Sequence, residues 1–105
     1  MSDKIGVVII TKDREHYFKD CLRSIDLSKI DHLVVVNDGN ELSPETLEFL
    51  SSNKVHYIKN EKNLGISKTK NKGLKYLLEK NVDHVFALED DCIIIDNNVW
   101  NEYIH

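Results

Sequence analysis

Four short apolar runs, each ending in a polar cluster and separated from the next by an amphipathic stretch, restrict this chain to few folds. Ile5-Gly6-Val7-Val8-Ile9-Ile10, Leu33-Val34-Val35-Val36, Val55-His56-Tyr57-Ile58 and His84-Val85-Phe86-Ala87-Leu88 read as strands. Short continuous β-branched runs mark strands covered on both faces. Between the first two, Tyr17, Phe18, Cys21, Leu22 and Ile25 recur at helical spacing among charged residues. Ser43-Pro44-Glu45 opens a second helix: a capping hydroxyl, a proline at the first helical position and an acid near the positive helix end. Leu47 and Leu50 should face inward from it. A third, basic helix is expected over residues 67–80, with Leu74, Leu77 and Leu78 as its apolar stripe and Gly73 allowing close approach to a neighbour. Ile93-Ile94-Ile95 is compatible with a further short strand, and residues 97–104 with a terminal helix or its beginning. Trp100 and Tyr103 so near the end imply packing against something, even something outside the chain. The order β-α-β-α-β-α-β predicts an α/β fold. It would be a Rossmann-like three-layer α/β/α arrangement around a mostly parallel sheet of about four strands, with right-handed crossovers.

The length, 105 residues, is that of one domain. Such a chain buries roughly 60–70% of its unfolded surface, enough for one core and not for two lobes. A net charge of −4 argues against bulk nucleic-acid binding, which relies on a basic surface. It leaves room for one nucleotide held through a metal. Cys21 and Cys92 show no CxxC or Cys/His spacing of a zinc site and read as free thiols in a reducing compartment. Met1-Ser2-Asp3-Lys4 leads straight into a strand pattern rather than a secretory apolar region. No apolar run approaches the roughly 20 residues of a membrane span. A cytoplasmic location is expected, compatible with a peripheral membrane partner.

In open α/β sheets, ligands bind beyond the carboxyl ends of the strands. Thr11-Lys12-Asp13-Arg14, Asn37-Asp38-Gly39-Asn40, the loop over residues 60–65 and Glu89-Asp90-Asp91 follow the four strands in turn, so all should lie along one rim. Each cluster has a plainer explanation. Asp38-Gly39 and Asn63-Leu64-Gly65 are turn sequences, and Lys68, Lys70 and Lys72 can form a solvated helix face. The acidic triplet is the least easily dismissed. Charges do not belong inside a buried strand. Adjacent carboxylates repel one another and raise one another's pKa unless a cation compensates, and carboxylates are ligands for hard divalent cations.

Taken together, these blocks resemble the nucleotide-binding half of a family 2 glycosyltransferase of the GT-A fold. The resemblance covers almost the whole chain. The family pattern has a strand ending in Thr with a nearby Arg, here Val8-Ile9-Ile10-Thr11-Lys12-Asp13-Arg14. A second strand ends in two acids, Gly and Ser, here Asn37-Asp38-Gly39-Asn40. A third block has Asn, Gly and then Ala-Arg-Asn-x-Gly, matched by Asn63, Gly65 and Thr69-Lys70-Asn71-Lys72-Gly73. The last is an acid-x-acid metal motif after an apolar strand, here Glu89-Asp90-Asp91. Three departures stand out. Asn37 replaces the first paired acid, Lys70 replaces an Arg and loses its planar fork, and Glu89 replaces an Asp.

The resemblance implies a nucleotide-sugar donor, a UDP-sugar in the first instance, bound with Mn²⁺ or Mg²⁺ and transferred with inversion to an unknown glycan or lipid-linked acceptor in polysaccharide biosynthesis. Thr11, Arg14, Asp38, Asn63, Gly65, Lys70 and Asp90 would bind the nucleotide. Asp38 is a candidate acceptor for the uracil N3 proton, and Lys70 or Arg14 for approach to a carbonyl or phosphate. Asp91 would be the direct metal ligand, with Glu89 beside it. Catalytic domains of this family need roughly twice this length, near 200 residues or more. The chain therefore reads as part of a larger catalytic domain, inactive alone, or as a relic that binds without turnover. No catalytic base is assigned. His16, His32, His56, His84 and His105 are scattered and read as structural or surface residues. A half-domain would expose apolar surface, which predicts a homodimer.

The main rival is a non-catalytic interaction module that keeps the fold. A phosphoacceptor response regulator fits less well, because Asp13 is a single acid after the first strand and Asn60-Glu61 follows the third. No Walker A loop or dinucleotide fingerprint occurs.

Overall fold

Strand β1 (Ile5–Thr11) lies at the centre of a four-stranded parallel sheet, with β2 (His32–Asn37) on one side and β4 (His84–Glu89) on the other. β3 (His56–Lys59) pairs with β2, giving the order β3-β2-β1-β4. The computed structural model describes residues 4–102, with side chains as far as Trp100. The helices are α1 (Glu15–Ser24), α2 (Pro44–Ser52), α3 (Ile66–Glu79) and a short α4 (Val99–Glu102), with a 3₁₀ turn at Leu27–Lys29.

Alternation along the strands feeds two cores. Ile5, Val7, Ile9, Leu33 and Val35 point to one face, where they meet Phe18, Cys21 and Leu22 of α1 and Leu50 of α2. Val8, Val34 and Val36 point to the other face and meet Leu77 of α3. The result is the expected three-layer α/β/α fold. Ser43 caps α2, its hydroxyl accepting from Thr46 N at 3.4 Å, with Pro44 in the first turn. Gly73 is required where α3 crosses the sheet: a β-carbon there would collide with Val8 Cγ2 and lie 3.3 Å from Val36 Cγ2.

Several local expectations are corrected. Tyr17 is 53% exposed and sits outside the core, beneath the Arg14 guanidinium. Leu78 is 68% exposed. The buried positions of α3 are Thr69, Gly73 and Leu77, four residues apart, because α3 rests on β1 and β2 and leaves the same face of β4 open. Ile93-Ile94-Ile95 forms no strand. Its backbone is held by α1 instead, Ile94 N donating to Ser24 Oγ at 2.9 Å, while Ile95 stands in solvent. Trp100 does find a partner within the chain: it is buried edge-on to Phe86, with ring centroids 5.1 Å apart. Tyr103, Ile104 and His105 lie outside the described residues. Among the described residues, no helix is long and apolar enough to cross a membrane.

Candidate functional site

The four polar clusters share one rim because the parallel strands all end there. Thr11 is in register with Asn37, and Ile10 with Glu89. The Asp38 amide donates to the Thr11 carbonyl at 2.9 Å, and the Asn60 amide to the Asn37 carbonyl at 2.9 Å.

The acidic triplet divides in two. Asp90 turns inward and is 4% exposed. It accepts from the Thr11 hydroxyl at 3.1 Å, from Arg14 Nε at 3.1 Å and from Arg14 Nη2. Hydrogen bonding to Asp90, and then its charge, raise the Arg14 pKa further. Glu89 and Asp91 stay exposed. Asp91 Oδ2 lies 3.7 Å from Arg14 Nη2, which places it on the Thr11 side of the molecule.

Asp38 is the hub of the opposite half of the rim. It is 5% exposed. Its Oδ1 accepts from Asn60 Nδ2 and Leu64 N, both at 2.7 Å, and its Oδ2 from Gly65 N at 3.0 Å. Burial opposes its ionisation. The donors from Leu64, Asn60, Gly65 and the Thr69 hydroxyl outweigh burial and hold its carboxyl below the ordinary range. Asn63 Oδ1 also accepts from Gly65 N at 3.1 Å, and Gly65, at φ 88°, begins α3. Asp38 thus organises the loop ahead of α3 through four donors.

Asn37, where the family pattern has an acid, is fully buried. Its amide donates to Asn40 O at 2.8 Å and to Tyr57 Oη at 3.0 Å, while its Oδ1 accepts from Gly39 N at 2.9 Å. A carboxylate has no proton for Asn40 O, so the amide suits this position. Asp13 adopts a left-handed φ of 54° and accepts from Asn40 N at 2.6 Å. This close approach needs Gly39, where a β-carbon would lie 2.9 Å from Asp13 N. The first strand-end turn is therefore locked to the second.

Sequence reasoning did not find the network behind Asp38. Asn60 and Thr69 are fully buried, the Asn60 amide donating to Thr69 Oγ1 at 3.1 Å. Asn60 Oδ1 accepts from Lys72 Nζ at 2.7 Å, so Lys72 is not merely solvated. The available signal was Thr69 itself, a hydroxyl where the resemblance expects Ala.

Two clefts open on this rim. One, of about 290 Å³, is polar and lined by Asp38, Gly39, Asn40, Lys59 and Asn63 together with Lys12. The other, of about 360 Å³, runs between the start of α3 and the end of β4. Ile66, Lys70, Ala87, Glu89 and Arg14 border it, again with Lys12. Of the expected nucleotide residues, Asp38 and Asn63 line the first space and Arg14, Lys70 and Asp90 the second, while Thr11 and Gly65 line neither. Among the described residues no group of three His, Cys, Asp or Glu side chains could hold a metal ion by itself.

The sequence matches the Glycosyl transferase family 2 profile over residues 6–100. It is 30% identical over 103 residues to "Uncharacterized glycosyltransferase R363" of Acanthamoeba polyphaga mimivirus, covering 90% of this chain and 40% of the viral protein. The crystal structure of S. aureus TarS 1–349 superposes with a TM-score of 0.72 at 20% identity, over 96% of this chain and 31% of that one. The same protein in complex with UDP gives 0.71. The TarS likeness bears on the fold. The chain spans less than half of each of these relatives. The profile match covers nearly every described residue and takes in all four strand-end clusters, and on that ground the chain belongs to glycosyl transferase family 2.

Proposed function

We propose that this chain is the donor-binding part of a glycosyltransferase, holding a nucleoside diphosphate sugar for transfer to a glycan or lipid-linked acceptor. A UDP-sugar is the donor it fits best. The observation that carries this reading is the single rim on which the Asp38 hub and the Asp90 cluster meet, separated only by the turn at Thr11. The UDP complex of its structural neighbour TarS supports the same reading.

The chain's own residues divide the work. Asp38 borders the first cleft together with Asn63, and a carboxylate there is the acceptor type that an imide N–H such as that of uracil calls for. Asp90 holds Arg14 in place beside the second cleft, where a guanidinium stabilises phosphate oxygens. Glu89 and Asp91 are exposed oxygen donors, suited to a hard divalent cation such as Mg²⁺ or Mn²⁺. Two carboxylates alone make an incomplete shell. Mg²⁺ sites commonly use one or two carboxylates and take the remainder from substrate phosphates and water, so the residues fit. Asp91 would be the direct ligand and Glu89 its neighbour. When bound, such a cation neutralises charge on the departing diphosphate. No residue here is assigned as the base that deprotonates the acceptor.

Calorimetric titration of UDP with and without Mn²⁺, on the wild type and on Asp91→Ala, tests the proposal. Metal-dependent binding that disappears in the variant supports it. Absence of UDP binding in the wild type overturns it in favour of an interaction module.

A further inference from the structure

Lys12 is the one residue that lines both clefts. One cleft holds Asp38 and Asn63, and the other holds Arg14, Lys70 and Glu89. A nucleoside diphosphate sugar is built to the same plan. It has a nucleoside at one end, a sugar at the other and a diphosphate carrying the charge between them. A donor lying across both clefts brings its diphosphate past Lys12 whichever end enters which cleft.

We propose that Lys12 is a donor-binding residue that grips the diphosphate at the junction of the two clefts. The inference rests on the donor reading above. It adds a residue that neither the family pattern nor the acidic triplet marks.

Three observations support it. Lys12 is exposed, and among the described residues its ammonium has no hydrogen-bond or ion-pair partner. Its neighbours are the reverse. Thr11 is tied to Asp90 and Asp38, and Asp13 is held at φ 54° by Asn40 N. The flexible side chain therefore projects from a fixed turn, so little backbone order has to be gained on binding. The charge also has a purpose. An ammonium with three rotatable donors suits a diphosphate whose oxygens are spread over two phosphorus atoms. Lys70 faces it from the α3 side of the second cleft.

The test compares UDP with uridine for wild type, Lys12→Gln and Lys12→Arg at fixed Mg²⁺, by calorimetry for UDP and NMR titration for uridine. Lys12→Gln should weaken UDP binding about tenfold or more, the loss of one charge-assisted hydrogen bond. Uridine binding should be unchanged, and Lys12→Arg should restore most of the UDP affinity. The salt dependence of UDP binding should flatten in Lys12→Gln and not in Lys12→Arg. Wild-type binding of UDP with no loss in Lys12→Gln overturns the role of Lys12 and leaves the donor reading standing. An equal loss for uridine also overturns it, because the effect would then lie in the shape of the rim. Failure of the wild type to bind UDP removes the donor reading and this assignment together.

Discussion

Thr11 and Asp90 stand 79 positions apart in the chain, and the Thr11 hydroxyl donates to the Asp90 carboxylate across 3.1 Å at the shared end of β1 and β4. The same carboxylate holds Arg14. Asp90 therefore joins the first polar cluster to the last. Its position inside the acidic triplet conceals this, because Glu89 and Asp91 face solvent.

Asp90→Ala should accordingly destabilise the fold by about 1–3 kcal/mol, the cost of leaving a buried partner unsatisfied. Asp91→Ala, at an exposed position, should stay within about 0.5 kcal/mol of wild type. Urea unfolding of the two variants measures the difference. Equal losses would remove the distinction drawn between them.

Asp38→Ala strips acceptors from Leu64 N, Gly65 N and the Asn60 amide at once. A loss of about 2–3 kcal/mol is expected, with faster amide exchange at Leu64 and Gly65. The pH dependence has a definite sign. The Asp38 carboxyl titrates below its ordinary value of 3.8 in the folded chain. Its contribution is therefore present above that value and is lost as pH falls through the depressed one. The acid unfolding curve of Asp38→Ala should lack that portion of the slope.

Gly73→Ala tests how α3 is seated. The added methyl would press on Val8 and Val36 with no flexible end to give way. Overpacking of this kind costs about 1–3 kcal/mol, despite the better helix propensity of alanine. A Tm equal to or above that of wild type would mean that α3 rides higher on the sheet than described.

Tyr57 carries the alkaline counterpart. Burial, then its hydrogen bond to Glu41, push the phenol from 10.0 up to about 12. Its hydroxyl donates to Glu41 Oε1 at 2.5 Å. A raised folded pKa means stability that is whole below pH 10 and declines as pH climbs toward about 12. Tyr57→Phe should flatten the stability profile in that window, and tyrosinate absorbance should show one phenol titrating late.

The two thiols should differ sharply in reactivity. Cys21 is fully buried beneath the end of β4, its Sγ 3.8 Å from the Glu89 carbonyl, whereas Cys92 is partly exposed. Alkylation followed by peptide mass spectrometry should find Cys92 modified in the native chain and Cys21 only after unfolding. Simultaneous labelling would mean that the segment after β4 opens readily.

The strands and their polar ends were legible because β-branched runs and turn residues carry their meaning locally. So was the α2 start, where Ser43 caps and Pro44 follows. What escaped depended on distant partners. Alternation along β4 puts Asp90 on the side of Phe86 and Leu88, but the hydroxyl and guanidinium that hold it there belong to the first strand-end turn. Leu78 fits a helical stripe, yet the layer beneath that part of α3 stops short of it. Tyr17 has the right spacing and the wrong side, its ring serving Arg14. Asn60 looked like part of a polar loop, and only the fold turns it into the buried centre of a network reaching Lys72.

The strand order makes β1 a neighbour of β4, which follows it by more than 70 residues. As the chain leaves the ribosome, β1, β2 and β3 have their mutual partners, while the edge of β1 destined for β4 stays bare. That seam closes through contacts of long sequence separation, the slow kind. An unpaired apolar edge in the meantime is an invitation to chaperones and to aggregation alike.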